Sequence, residues 1–175
     1  MDTFDALIQE LQAAAAGAAR LAAAPSSAFT RRPHPQKWSA AECFEHLNLT
    51  TKAYLPKLEA AFSELQQSGL RSPGPFRMDW QARLLHWLLA PPARLRMPTS
   101  PPFFPAASED TIPQFSELQQ RLISLLEQHR GLALDRARIS SPFAERVRYN
   151  LYSAFRLIAV HQRRHLWQAG RALQP

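Results

Sequence analysis

One cysteine, Cys43, and five glycines are all that a chain of 175 residues contains of either type. A single thiol excludes an internal disulfide and every multi-cysteine zinc motif, and gives no sign of an oxidising compartment. So few glycines, beside 46% hydrophobic residues, fit helices better than a turn-rich β protein. No run of about 18 uninterrupted apolar residues occurs, so nothing reads as a membrane span. The start carries Asp2, Asp5 and Glu10 where a secretory leader needs positive charge, and its alanine run is broken by Gly17 and Arg20. A cytoplasmic protein is the expectation. Also missing are a Ser-His-Asp order, a Gly-rich phosphate loop and a paired-carboxylate motif. Their absence argues against acyl transfer, nucleotide hydrolysis and glycosidase chemistry.

Positive charge is in excess, with a formal net charge of +7. That makes anionic partners conceivable. The cations are spread over every segment, with no long basic run and no basic groove interleaved with aromatics, so they read as a solvated surface and not as a nucleic-acid footprint. Fifteen prolines are many, but they cluster between the periodic segments and punctuate them.

Residues 2–24 place Phe4, Leu7, Ile8, Leu11, Ala15, Ala18 and Leu21 at helical spacing, and Pro25-Ser26-Ser27 ends that first helix. Arg31-Arg32-Pro33-His34-Pro35 follows as an extended connector. Ser39 and Glu42 then form a capping box for a second helix, in which each supplies the acceptor for the other's amide. Its stripe holds Cys43, Leu47, Thr50, Tyr54, Leu58, Ala61 and Leu65, with His46 on the edge, until Ser68-Gly69 stops it. Pro56 is expected to kink or split it. A short apolar helix is expected over 79–90, its Trp80, Leu84, Leu85, Trp87 and Leu88 covering most of the circumference and so packed against something. The proline-rich stretch 91–107 reads as an ordered crossover anchored by Leu95, Met97, Phe103 and Phe104.

Thr111 through Gln114 repeats the capping-box logic ahead of a third long helix with Phe115, Leu118, Leu122, Leu125, Leu126 and His129 on its stripe. Residues 132–148 are mixed, with a turn at Ser140-Ser141-Pro142-Phe143. Asn150 can cap a last helix running to about Ala172. Four long amphipathic segments, with a long proline-rich crossover between the second and third, describe a single all-α domain over 1–175, a four-helix bundle whose sites would be built from facing helices.

The last helix carries His161 and His165, one turn apart and about 40° from each other around the axis, so their imidazoles can converge. They lie on the margin of its apolar stripe (Leu151, Phe155, Ile158, Leu166, Ala169), while Arg156, Arg163, Arg164 and Arg171 fall on the side expected to face water. H-x-x-x-H alone is a common pattern, and a third histidine changes its meaning. His46 lies near the start of the second helix, and if that helix runs antiparallel to the last, the three rings meet. They could then share one ion and leave a fourth position for water or substrate, as in catalytic zinc sites.

Trp38-Ser39-x-x-Glu42-x-x-x-His46-Leu47, followed about 115 residues later by His161-x-x-Arg164-His165-x-x-Gln168, resembles the DinB/YfiT-like superfamily, particularly its DinB_2-type members. The likeness covers nearly the whole chain. It implies an up-down-down-up four-helix bundle, often a homodimer, with a divalent metal such as zinc or nickel on His46, His161 and His165. Related families are similar to enzymes that transfer bacillithiol or mycothiol, or isomerise maleylpyruvate with mycothiol. A metal-dependent thiol transferase or hydrolase with a low-molecular-weight thiol or another small-molecule substrate is therefore the implied activity. A non-catalytic bundle used for dimerisation or partner binding is the alternative.

Other residues have two readings each. Cys43 could be a soft fourth ligand or a small buried hydrophobe. Gln168 could orient a ligand or be a surface amide. Glu42 could act as a general base, though its capping role accounts for it. Arg164 could clamp an anion or be one surface arginine among many. Trp80, Trp87, Phe103 and Phe104 could wall a pocket over the metal or pack in the core. His34, His86 and His129 read as structural or surface groups, with a helix C-terminus to favour His129.

Overall fold

Helix α1 (Phe4–Ala22) opens at Thr3, whose hydroxyl accepts the Ala6 amide at 3.4 Å. The structure, a computed structural model, describes residues 3–92, 98–106 and 110–174. Helix α1 ends before Pro25, as expected, and a five-residue helix not foreseen, α2 (Ser26–Thr30), stands between Pro25 and the connector, which begins extended at Arg31.

The capping box of the next helix is formed as read: Ser39 Oγ accepts the Glu42 amide at 3.2 Å, and Glu42 Oε2 accepts the Ser39 amide at 2.9 Å. Helix α3 (Ala40–Ser68) is not split, for it runs unbroken through Pro56 to Gly69, which caps it at φ 67°. Pro56 lies on the exposed face between buried Leu55 and Leu58, so water can replace the hydrogen bond its nitrogen cannot make. Pro56→Ala restores that bond and is expected to raise stability by about 1 kcal/mol or more, or a few degrees in Tm by thermal melting.

Helix α4 (Trp80–Leu89) corrects another expectation. Only Ala82 is fully buried, Leu85 and Leu89 rest on the core, and Trp80, Leu84 and Trp87 are 72%, 52% and 55% exposed. The crossover contains a 3-10 turn at Pro101–Phe103 with Phe103 buried and Phe104 exposed; Leu95 and Met97 lie outside the described residues. Helix α5 (Thr111–Gln128) begins after Asp110, so Thr111 is inside the first turn and not its cap. Asn48 Nδ2 donates to the Thr111 carbonyl at 2.9 Å and holds it there.

Within the mixed region, β1 (Arg138–Ser140) and β2 (Arg148–Asn150) pair antiparallel, with Ile139 opposite Tyr149. Three-residue strands are too short for alternation to be legible. Asn150 then caps α6 (Leu151–Ala172), its Oδ1 accepting the Ser153 amide at 2.7 Å. The described residues are thus mostly helical, with one small two-stranded ladder.

Helices α1 and α3 each pack on both α5 and α6, and α4 packs on α6. Phe44, Leu58, Phe62, Leu122 and Phe155 are wholly enclosed at these contacts. A buried amide pair fixes their register: Gln119 and Gln162 donate to each other at 3.1 and 2.7 Å, and Gln119 also donates to the Leu11 carbonyl at 2.7 Å. Late α1 meets late α6, where a Cβ at Gly17 would stand 3.5 Å from Leu166 and one at Gly170 3.6 Å from Leu21. The first turns of α3 meet the second half of α6, and that contact brings the histidines together. No helix among the described residues is long and apolar enough to cross a membrane.

Candidate metal centre

His46 is the seventh residue of α3, and the Ser39–Glu42 box fixes the helix start that aims it. Arg32 reinforces the box by gripping both Glu42 oxygens, its Nε lying 3.0 and 2.8 Å from Oε1 and Oε2. This pair and the Ser39 amide hold the Glu42 carboxyl below its ordinary range against the opposing effect of burial. Glu42 therefore acts here on the backbone and on Arg32. His161 and His165 come from one face of α6, one turn apart. Each of the three histidines offers a nitrogen within 4.8 Å of the other two. The ring centroids form a near-equilateral triangle of 4.6, 4.6 and 5.1 Å.

Tautomers follow from the partners. His46 Nδ1 lies 2.8 Å from the Phe103 carbonyl, which can only accept, so Nδ1 carries the proton and the neutral ring presents a bare Nε2. That Nε2 is aimed at His161 Nε2, 3.2 Å away. Two imidazole nitrogens on one tetrahedral ion, each about 2.0–2.1 Å from it, stand roughly 3.3 Å apart, so the spacing fits a shared cation. A ring nitrogen of a ligating histidine held by a backbone carbonyl is the usual outer support of such sites. His165 Nδ1 is buried with no partner within hydrogen-bond distance, a cost that a cation or an ordered group could remove. The donor set, three imidazoles and no thiolate, suits a divalent transition metal.

Electrostatics keep the rings in the ligating form. Burial lowers the His46 pKa, partly offset by the Phe103 carbonyl. His161 and His165 are held well below the ordinary range, first by burial, then by the neighbouring imidazoles and Arg164. Gln168 opposes this at His165, close enough to favour the imidazolium without reaching Nδ1 at bonding distance. Neutral imidazoles at pH 7 are what a metal requires. His46 and His165 are only 4% and 7% exposed, while His161 is half-buried, so the cluster meets solvent on the His161 side.

Aromatic walls close the rest. Trp38 lies 5.0 Å from His46 and stacks on His165 at 5.8 Å and 27°. Phe143, from the β1–β2 loop, lies 5.9 Å from His161 and 4.8 Å from Phe103. Of the four aromatics expected over the site, Phe103 borders it, whereas Trp80, Trp87 and Phe104 are exposed. Trp38 was visible in the sequence only as part of a helix entrance. Phe103 acts through its carbonyl, which leaves no side-chain signal.

Cys43 is fully buried in an apolar cluster with Phe44, Leu47 and Phe115, and burial pushes its thiol far up. It is not among the converging ligand groups. Two α6 arginines expected at water are half-buried: Arg156 pairs with Glu10 of α1 at 2.8 Å, and burial lowers the Arg164 pKa near the histidines. The remaining histidines stay apart. His34 is exposed; His86 on α4 is pushed down to about 4 by burial and by Arg156 and Arg163; His129 stacks on Phe62 at 4.4 Å and donates to the Leu125 carbonyl.

A family model described as the DinB superfamily matches residues 3–169. No curated protein and no solved structure matches.

Proposed function

The chain belongs to the DinB superfamily, and on that premise we propose that His46, His161 and His165 hold one divalent ion, zinc or nickel, in a metal-dependent thiol transferase or hydrolase. One observation carries the reading: the Phe103 carbonyl fixes His46 in the tautomer whose bare Nε2 faces the other two imidazoles. A bound divalent ion supplies Lewis acidity and lowers the pKa of a thiol or water beside it. The chain's own residues do the rest. Phe103 and Trp38 keep the rings in place, Trp38 and Phe143 restrict water, and Arg164 sets a positive charge where an anionic group would be favoured. Substrate would enter beside His161, and Gln168 is positioned to orient a group near His165.

The frame proposed for this site is one domain, an up-down-down-up bundle of α1, α3, α5 and α6. Pairings support it: Gly17 with Leu166 for parallel α1 and α6, Phe44 with Phe115 and Phe62 with His129 for parallel α3 and α5. Thiol conjugation to an electrophilic dye and ester hydrolysis, each with zinc-loaded, nickel-loaded and metal-free protein, test the activity. A low-molecular-weight thiol such as bacillithiol or mycothiol is the co-substrate of the first assay. Turnover is expected with metal and should fall to background in His161→Ala; equal rates with and without metal would contradict the enzymatic reading.

The exposed stripe of Trp80, Leu84 and Trp87 on α4 supports a second reading, in which two copies pair and the fold serves association. Sedimentation of Trp80→Asp beside the unaltered chain tests it, with a dimer expected only for the latter.

A further inference from the structure

We propose that a recess lined by Arg31, Arg32, Pro33, Arg171 and Gln174 binds a small molecule through a carboxylate or phosphate group. Three guanidinium groups line it, and no carboxylate side chain among the described residues does. Arg32 is already neutralised, since it grips Glu42. Arg31 and Arg171 have no carboxylate partner among the described residues, so two guanidinium groups at the recess are without an ion pair there.

Holding those charges together is unfavourable unless an anion joins them. Arg171 is also restrained, its guanidinium lying 5.6 Å over the Trp167 ring, so less freedom is lost when it takes a ligand. The planar guanidinium fork matches the paired oxygens of a carboxylate or phosphate, and the Gln174 amide adds a neutral donor beside it. The recess is open to solvent, has a volume of about 360 Å³, within the range of small-ligand sites, and is bordered by one connector and one helix end. A nucleic-acid surface would need cations spread along a track, and these are gathered at one point.

The recess lies at the end of the molecule that carries the histidines. Glu42, which Arg32 grips, is about 6 Å of helix rise before His46, and Arg171 is about 9 Å beyond His165. The anion site does not rest on the metal-binding reading.

Calorimetric titration of the full chain with inorganic phosphate and with citrate, at constant ionic strength, tests the proposal. Arg31→Ala/Arg171→Ala should weaken binding by about ten-fold or more, as expected for lost charge-assisted hydrogen bonds. Arg83→Ala/Arg146→Ala removes the same charge from exposed positions elsewhere and should change it less than about two-fold. Tighter phosphate than citrate binding assigns a phosphate ester, and the reverse a carboxylate. Equal losses in the two double variants, or no binding of either ion at millimolar concentration, would overturn the site. His161→Ala separates it from the metal centre: unchanged anion affinity there supports the recess whether or not the imidazoles take a metal, and loss of affinity assigns the anion to the metal centre and refutes the proposal.

Discussion

His161→Ala is expected to remove most of the protein's affinity for zinc, a larger loss than the roughly 10- to 100-fold that an outer-shell partner costs. His161 Nε2 stands 3.2 Å from His46 Nε2 at the meeting of α3 and α6, so its loss leaves two nitrogens where three converged. The effect should be large in stability as well. A ligand present at about a thousand times its Kd stabilises the folded state by about 4 kcal/mol. For a chain of this size that is roughly 8–16 °C in Tm. Thermal melts with and without zinc should show a shift of that order for the unaltered protein and almost none for His161→Ala. Because α6 keeps its cap at Asn150 and its core stripe, the variant should fold without metal. An equal zinc shift in both proteins would mean that zinc binds elsewhere.

Metal-free protein is expected to lose stability steeply as pH falls from 7 to 5. Burial holds His46, His161 and His165 below the ordinary histidine value of about 6.5 in the folded state, and unfolding releases them to it. Below about 6.5 the unfolded chain therefore binds protons that the folded one refuses. Stability is fully present above that pH, and it declines as pH falls until the folded-state pKa values are reached. Each such imidazole contributes a slope of up to about 1.4 kcal/mol per pH unit. His46 and His165, the two best shielded, should together cost on the order of 2–3 kcal/mol per unit. Glu42 does not blur this window, because its lowered pKa places its own loss below 4.5. Urea midpoints at pH 7, 6 and 5 measure the decline. His165→Phe, which keeps an aromatic ring against Trp38, should flatten it, and zinc should move it to lower pH. A flat profile for the metal-free chain would mean that the rings are solvated.

The parts of this arrangement that sequence could disclose are the local ones. Ser39 with Glu42, and Asn150 with Ser153, are three residues apart, and that spacing by itself specifies the hydrogen bonds seen. The placing of His46, His161 and His165 on helix margins follows from periodicity. Their meeting depends on which helices are neighbours, and there the two separated motifs gave the clue. What stayed illegible acts across the fold or through backbone. The Phe103 carbonyl has no side-chain signature. Arg156 looks like a surface residue until α1 supplies Glu10. Thr111 has the residue type of a cap, but Asn48 holds it one position inside the helix. Helix α4, apolar around most of its circumference, looks buried, although its Trp80–Leu84–Trp87 stripe faces outward.

The most direct measurement is a crystal structure of tag-free protein loaded with zinc, with anomalous data collected on both sides of the zinc edge. A single peak about 2.0–2.1 Å from one nitrogen each of His46, His161 and His165, with the Phe103 carbonyl still on His46 Nδ1, is the result expected. Anomalous density away from these rings, or none in the loaded protein, would contradict a metal centre at this meeting of α3 and α6.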